Sequence, residues 1–182
     1  SVLAQHLRLP ENRVRVVATE TGGSFGLKIH SYPDEFATVI ASRILARPVK
    51  FIADRLESFS SDVHARAHRA RVSIAVSAEG RIRAFGVDGL LGIGAYSKHP
   101  RGSVNEVRHV VNLLGAPYRF DALHAHVRVA FQNKAPYGMY RGVGHPVACL
   151  LTEMAVECAA RQVGEDPVDF RLRNFHPDDD YP

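Results

Sequence analysis

The chain has 182 residues, 46% of them hydrophobic, and a formal charge of +4 carried almost wholly by arginine, since only Lys28, Lys50, Lys98 and Lys134 are lysines. That length supports one domain with a sizeable core, and no apolar run approaches the ~20 residues a membrane-spanning helix needs. The arginines are dispersed along the chain, which argues against a nucleic-acid surface, where basic residues cluster beside aromatic ones.

In chain order, Val2 to Leu9 reads as the tail of a helix closed by Pro10. Arg13 to Thr19 reads as a strand, with Val14 and Val16 apolar and Arg13 and Arg15 on one face. Ser31 and Asp34 form a capping pair for a helix from Pro33 to Ala46, whose stripe of Phe36, Ile40 and Ile44 ends where Arg47 meets Pro48. Val49 to Asp54 is the next expected strand. Alternating segments Arg71 to Val76 and Ile82 to Leu91 flank Ala78-Glu79-Gly80 and predict an antiparallel hairpin. A helix over Ser103 to Leu114 breaks at Gly115 and Pro117, and Leu123 to Gln132 alternates again. From Pro146 the positions Val147, Leu150, Leu151, Met154, Ala155, Cys158 and Ala159 make one apolar stripe to Gly164. A short helix from Pro167 to Asn174 is capped by Asp166, and the acidic tail Asp178 to Tyr181 is expected to fray. Strands alternating with helices around one hairpin predict an α+β domain, a mixed sheet with helices packed on it.

Two glycine-bracketed loops stand out: Gly22-Gly23-Ser24-Phe25-Gly26-Leu27-Lys28 and Tyr140-Arg141-Gly142-Val143-Gly144-His145-Pro146. Glycines there permit positive φ and close approach of backbone amides to a ligand. A phosphate-binding P-loop is excluded, because Leu27 precedes Lys28 and Ile29 follows it. The stretch around Ser24 satisfies G-x-S-x-G, the nucleophile elbow of a serine hydrolase, but one strand alone precedes it and no helix follows at once.

The first loop, together with the run from Ala130 to Phe175, resembles the molybdenum-cofactor-binding large subunit of the xanthine dehydrogenase and aldehyde oxidase family. Leu9-Pro10, Arg47 to Lys50 with Asp54-Arg55, Gly94-Ala95-Tyr96, Asn133-Lys134 and Asp166-Pro167 follow in the same order. The resemblance implies that domain's fold, with residues 1–182 as part of a molybdopterin-binding domain in a longer subunit. It implies a molybdenum-molybdopterin cofactor, its dinucleotide form left open, and [2Fe-2S] and FAD on partner domains or subunits. The implied reaction is hydroxylation of an aldehyde or small N-heterocycle with water-derived oxygen. On this pattern Gly22, Gly23, Phe25, Gly26, Arg141 and Gly142 contact the cofactor, while Ile29 and Val143 border the substrate. The metal's ligands come from the pterin, so no metal-binding residue is expected here, and the family's catalytic glutamate lies outside this chain.

Departures narrow the substrate. Ile29 replaces the glutamate of purine-oxidising members, and Gly142 replaces the copper-binding cysteine of carbon monoxide dehydrogenases. Val143 stands where many members carry a phenylalanine. The alternatives are a non-catalytic module that binds cofactor or partner chains, and the hydrolase through Ser24.

Other candidates have plainer readings. His64 and His68 have zinc-like helical spacing but no companion glutamate, and His124 and His126 share a strand face. Glu153 and Glu157 read as a solvated helix face. Cys149 and Cys158 lie ~13 Å apart along one helix, too far for a disulfide, and read as reduced core filler. With no basic-then-apolar leader visible, a cytoplasmic address is expected.

Overall fold

A computed structural model describes residues 2–180. Its sheet has three strands in the order β1 (His68–Val76), β2 (Ile82–Gly92), β3 (Ala122–Ala130), with β2 central. β1 and β2 form the expected hairpin, registering Val72 with Val87, and Gly80 closes its turn at φ 76°. β3 runs parallel to β2, pairing Leu123 with Phe85, so the sheet is mixed. A parallel pair cannot be joined by a tight turn. The long connection supplies α1 (Asn105–Leu113), close to the helix expected there.

The longest helix, α2 (His145–Val163), starts beside Pro146 and stops at Gly164, whose φ of 73° only glycine adopts freely. It packs on β1, on α1 and on α3 (Pro167–Asn174). Asp166 caps α3 by accepting from the Val168 and Asp169 amides at 2.8 and 3.2 Å. Between α2, α3 and the sheet, Phe85, Tyr118, Val156 and Phe170 are almost wholly excluded from solvent. Each such side chain contributes ~1.5–3 kcal/mol.

The buried stripe of α2 is rotated from the expected one. Ala148, Thr152, Val156 and Ala160 face inward with Ala155 and Ala159, whereas Leu150, Met154 and both cysteines are exposed. Cys149 and Cys158 are therefore free thiols on the surface and not core filler. Glu153 and Glu157 are engaged: Glu153 accepts from the Tyr118 hydroxyl at 2.9 Å, and Arg171 of α3 bridges both carboxylates at 2.9 and 3.0 Å.

The first third of the chain departs most. No strand forms at Arg13 to Thr19, where a 3₁₀ turn at Glu11–Arg13 runs into extended backbone, nor at Val49 to Asp54. Val16 is 72% and Ile52 71% exposed. A strand exists only with a ladder partner, and none lies beside either segment among the described residues. The helix α4 (Pro33–Leu45) forms, but its stripe is uncovered, with Ile44 77% exposed. Its cap is Tyr32, whose amide donates to the Glu35 carboxylate at 3.0 Å, and not Ser31, whose amide donates to the His99 carbonyl. An additional helix, α5 (Arg55–Ser61), is closed by a reciprocal Asp54/Glu57 capping box. α6 (Val2–Leu7) leans on α4 through the His6 and Phe36 rings, 5.2 Å apart. Of the acidic tail, Asp178–Asp180 form a 3₁₀ turn with Asp180 3.0 Å from His176, and Tyr181 lies outside the described residues.

Candidate functional site

The fold brings the two glycine loops into contact. The Arg141 amide donates to the Phe25 carbonyl at 2.8 Å, and the Arg141 guanidinium sits 6.0 Å from the centre of the Phe25 ring. Gly26 is the close-approach point, with φ 103°; a Cβ there would stand 3.0 Å from the Met139 carbonyl oxygen. Gly22 and Gly23 do not use positive φ. At Gly23 a Cβ would strike the Phe25 ring at 2.7 Å, so this glycine makes room for an aromatic side chain.

The second loop is delivered by backbone pairing on two sides. The Tyr137 amide donates to Ile93, and Gly138 and His64 bond through His64-to-Pro136 and Gly138-to-His64 contacts of 3.1 and 2.9 Å. Beyond Gly142 (φ 88°), Gly144 (φ 84°) turns the chain into α2, where a Cβ would meet the Glu106 carbonyl at 2.6 Å. The first loop is held from behind: the Tyr32 hydroxyl donates to the Leu27 carbonyl at 2.9 Å, and Lys28 Nζ donates to Gly22 O at 3.1 Å.

This arrangement leaves donors facing outward. Among the described residues, the amides of Phe25, Gly26 and Gly142 have no protein acceptor, and neither Arg141 nor Arg66 is ion-paired. Arg66 Nη2 donates to the Arg141 carbonyl, and its guanidinium lies 5.0 Å from the Tyr140 ring centre. Phe25 is 58% exposed. Unpaired amides beside the Arg141 guanidinium, with the Arg66 charge behind it, form a surface suited to an anionic group. A cleft of about 340 Å³ adjoins it, lined by Leu27, Phe59, Val63, Arg66 and Tyr140 among others.

Phe25, Gly26, Arg141 and Gly142 are thus gathered, and Gly22 and Gly23 shape their turn. Ile29 and Val143 are not joined in one cavity. Ile29 is exposed in the 3₁₀ turn Leu27–Ile29, whereas Val143, strained at φ 30°, lines a narrow crevice too small for a water molecule with Ser103, Glu106, Tyr137 and Met139. Two contributors were missed by sequence reasoning: Arg66, and His30, whose Nε2 accepts the Met139 amide at 2.9 Å.

The other candidates resolve simply. His64 and His68 do not share a helix: His64 bridges to Tyr137 and its Nε2 contacts the Phe59 carbonyl, while His68 opens β1 and bonds the buried Glu106 at 3.1 Å. Among the described residues no cluster of three metal-ligating side chains occurs. His126 lies 3.6 Å from Asp88 on the exposed sheet. Ser24 is preceded by no strand and bonds only within its own turn, with no histidine against its hydroxyl. No helix among the described residues is long and apolar enough to cross a membrane.

The family model described as "Molybdopterin cofactor-binding domain" matches residues 1–175. The chain is 33% identical over 181 residues to the 6-hydroxypseudooxynicotine dehydrogenase complex subunit gamma of Paenarthrobacter nicotinovorans, covering 100% of this chain and 22% of the relative. It is 33% identical over 174 residues to the nicotine 6-hydroxylase large subunit of the same organism, covering 94% of this chain and 21% of that one. Among solved structures, quinoline 2-oxidoreductase from Pseudomonas putida 86 superimposes with a TM-score of 0.92 at 34% identity, covering 100% of this chain and 23% of that one. The chain therefore spans about a fifth of the length of the relatives it matches.

Proposed function

The chain belongs to the molybdopterin cofactor-binding domain family, and from that premise we propose that its two touching loops form one wall of the cofactor site in the large subunit of a molybdenum hydroxylase. The observation that carries this reading is the junction itself. Arg141 N–H to Phe25 C=O unites segments more than a hundred residues apart, and leaves amides without a protein acceptor beside the Arg141 guanidinium. A phosphate-bearing pterin fits such a surface, since each charge-assisted bond to an anion contributes ~1.5–3 kcal/mol. When bound, the cofactor would supply hydroxylation of a substrate carbon with water-derived oxygen.

The protein's part is positioning. Phe25, Gly26 and Gly142 offer amides, Gly22 and Gly23 shape the first turn, and Arg141 offers charge held in place by Arg66 and the Phe25 ring. Ile29 and Val143 border the substrate side. Neither is ionisable, which suits an aldehyde or a small N-heterocycle better than a purine. The named relatives that act on nicotine-derived compounds and on quinoline support the N-heterocycle class. The electron-accepting [2Fe-2S] and FAD partners, and the glutamate base, belong to the rest of the assembly.

The test is molybdenum and pterin analysis of the full-length subunit purified with its partners, followed by turnover of an aldehyde, a pyridine or quinoline, and xanthine. Stoichiometric molybdopterin with turnover of one of the first two classes is expected. A subunit that assembles with its partners yet carries no pterin would overturn the reading.

A further inference from the structure

His30 sits immediately behind the first loop and reaches the second. It is 3% exposed, its Nε2 accepts the Met139 amide at 2.9 Å, and a Cβ on Gly138 would stand 2.7 Å from the same nitrogen. Met139 lies two residues before Arg141, whose amide donates to the Phe25 carbonyl of the first loop at 2.8 Å. The two contacts therefore clamp one short segment from both ends.

An imidazole nitrogen accepts a hydrogen bond only when it carries no proton. With Nε2 accepting, the proton sits on Nδ1, which is buried with no partner in full hydrogen-bond geometry; the His99 carbonyl, which also accepts the Ser31 amide at 3.1 Å, lies on that side and favours the proton, but less than burial opposes the charge. The groups facing this pocket resist a second proton. Lys98 is itself buried and lies 4.8 Å from the Tyr32 ring centre, and the charges of Asp34 and Glu35 act on it. No carboxylate bonds the imidazole itself among the described residues.

We propose that His30 is a positioning residue that acts as a proton-sensitive latch, its neutral ring holding the Met139–Arg141 segment against the first loop, so that protonation turns N–H against N–H and parts the two loops. This rests on the cofactor reading given above only for its consequence, the loss of cofactor. The latch itself is a property of this chain. Burial lowers the imidazole's pKa from its ordinary 6.5, outweighing the His99 backbone contact that raises it, and the Lys98 charge lowers it further. A group depressed in this way contributes its full stabilisation above pH ~6.5 and loses it as pH falls through the lowered value. The latch is therefore closed at neutral pH and opens in acid.

The experiment uses the full-length subunit with its partners, as wild type, His30→Leu and His30→Gln, the last keeping an acceptor near the position of Nε2. Hydrogen exchange at the Met139 amide, corrected for intrinsic rate, and pterin release are followed from pH 8 down to pH 5. In the wild type, Met139 protection and pterin retention should fall together below pH ~6.5. His30→Leu should lose about tenfold in both already at pH 8, because the Met139 amide is left without an acceptor in a buried site. His30→Gln should retain both with a flat pH profile. Equal Met139 protection in all three proteins, or the same acid loss in His30→Gln as in wild type, would overturn the latch. Should the wild-type subunit carry no pterin, the cofactor reading falls, while the Met139 exchange still decides the latch.

Discussion

Replacing Gly26 by alanine tests whether the loops meet as described. At φ 103° an L side chain costs ~1–2 kcal/mol. The new Cβ would also stand 3.0 Å from the Met139 carbonyl oxygen and 3.4 Å from Tyr140 Cα, both backbone atoms that can yield only by moving the second loop. That movement strains the Arg141-to-Phe25 hydrogen bond, worth ~0.5–1.5 kcal/mol. The sum is ~1.5–3.5 kcal/mol, or about tenfold to several-hundredfold in cofactor retention. Gly22→Ala is the internal control for backbone strain, read in melting temperature. Its Cβ would have only the flexible end of Lys28 nearby, at 4.0 Å, and its φ is not positive, so the change should stay within ~0.5 kcal/mol. Both variants would be assayed in the full-length subunit for pterin content and melting temperature. Wild-type retention in Gly26→Ala, or equal damage from Gly22→Ala, would refute the reasoning.

Further outcomes are expected. Ser24→Ala should leave cofactor content and hydroxylase turnover nearly unchanged, since its hydroxyl makes only a 3.3 Å contact with the Lys28 amide, and ester hydrolysis should be absent before and after the change. Glu106→Ala should destabilise the protein by about 2–4 kcal/mol in denaturant melts, because it deprives partly buried His68 of its partner and leaves a cavity beside Tyr137 where the buried Glu106 side chain sat. Arg171→Ala should lower the melting temperature without changing turnover, as it removes the bridge from α3 to Glu153 and Glu157, far from the loops. Arg171 and then Arg161 hold the Glu157 carboxyl below its ordinary 4.5. That contribution is present above pH ~4.5 and lost as pH falls below it, so acid melts of wild type and Arg171→Ala should converge there.

Where local chemistry decides, the sequence was legible. The hairpin around Gly80, the cap at Asp166 and the helix between Pro146 and Gly164 follow from turn residues, caps and period. What failed depended on partners distant in sequence. Arg13 to Thr19 and Val49 to Asp54 carry strand composition, but a strand needs a neighbour, and Val16, Val17, Phe51 and Ile52 remain exposed. The rotated stripe of α2 has the same cause: Thr152 is buried because its hydroxyl accepts the Gly115 amide at 3.0 Å, a contact that periodicity does not encode. The helix at Arg55–Ser61 is encoded locally, by the reciprocal capping pair Asp54 and Glu57. In the site, the glycines and Arg141 were found through their motifs. His30 and Arg66 carry no such pattern, and only the folded chain reveals that they lie behind the loops.

The most direct test of the central claim is the position of molybdenum in crystals of the full-length holoenzyme, located by anomalous scattering at the metal's absorption edge. The account predicts the metal beside the junction of the two loops, with a cofactor oxygen ~2.7–3.2 Å from the Phe25 or Gly26 amide and the Arg141 guanidinium adjacent. Molybdenum located away from that junction, with those amides facing solvent or another part of the subunit, would contradict it.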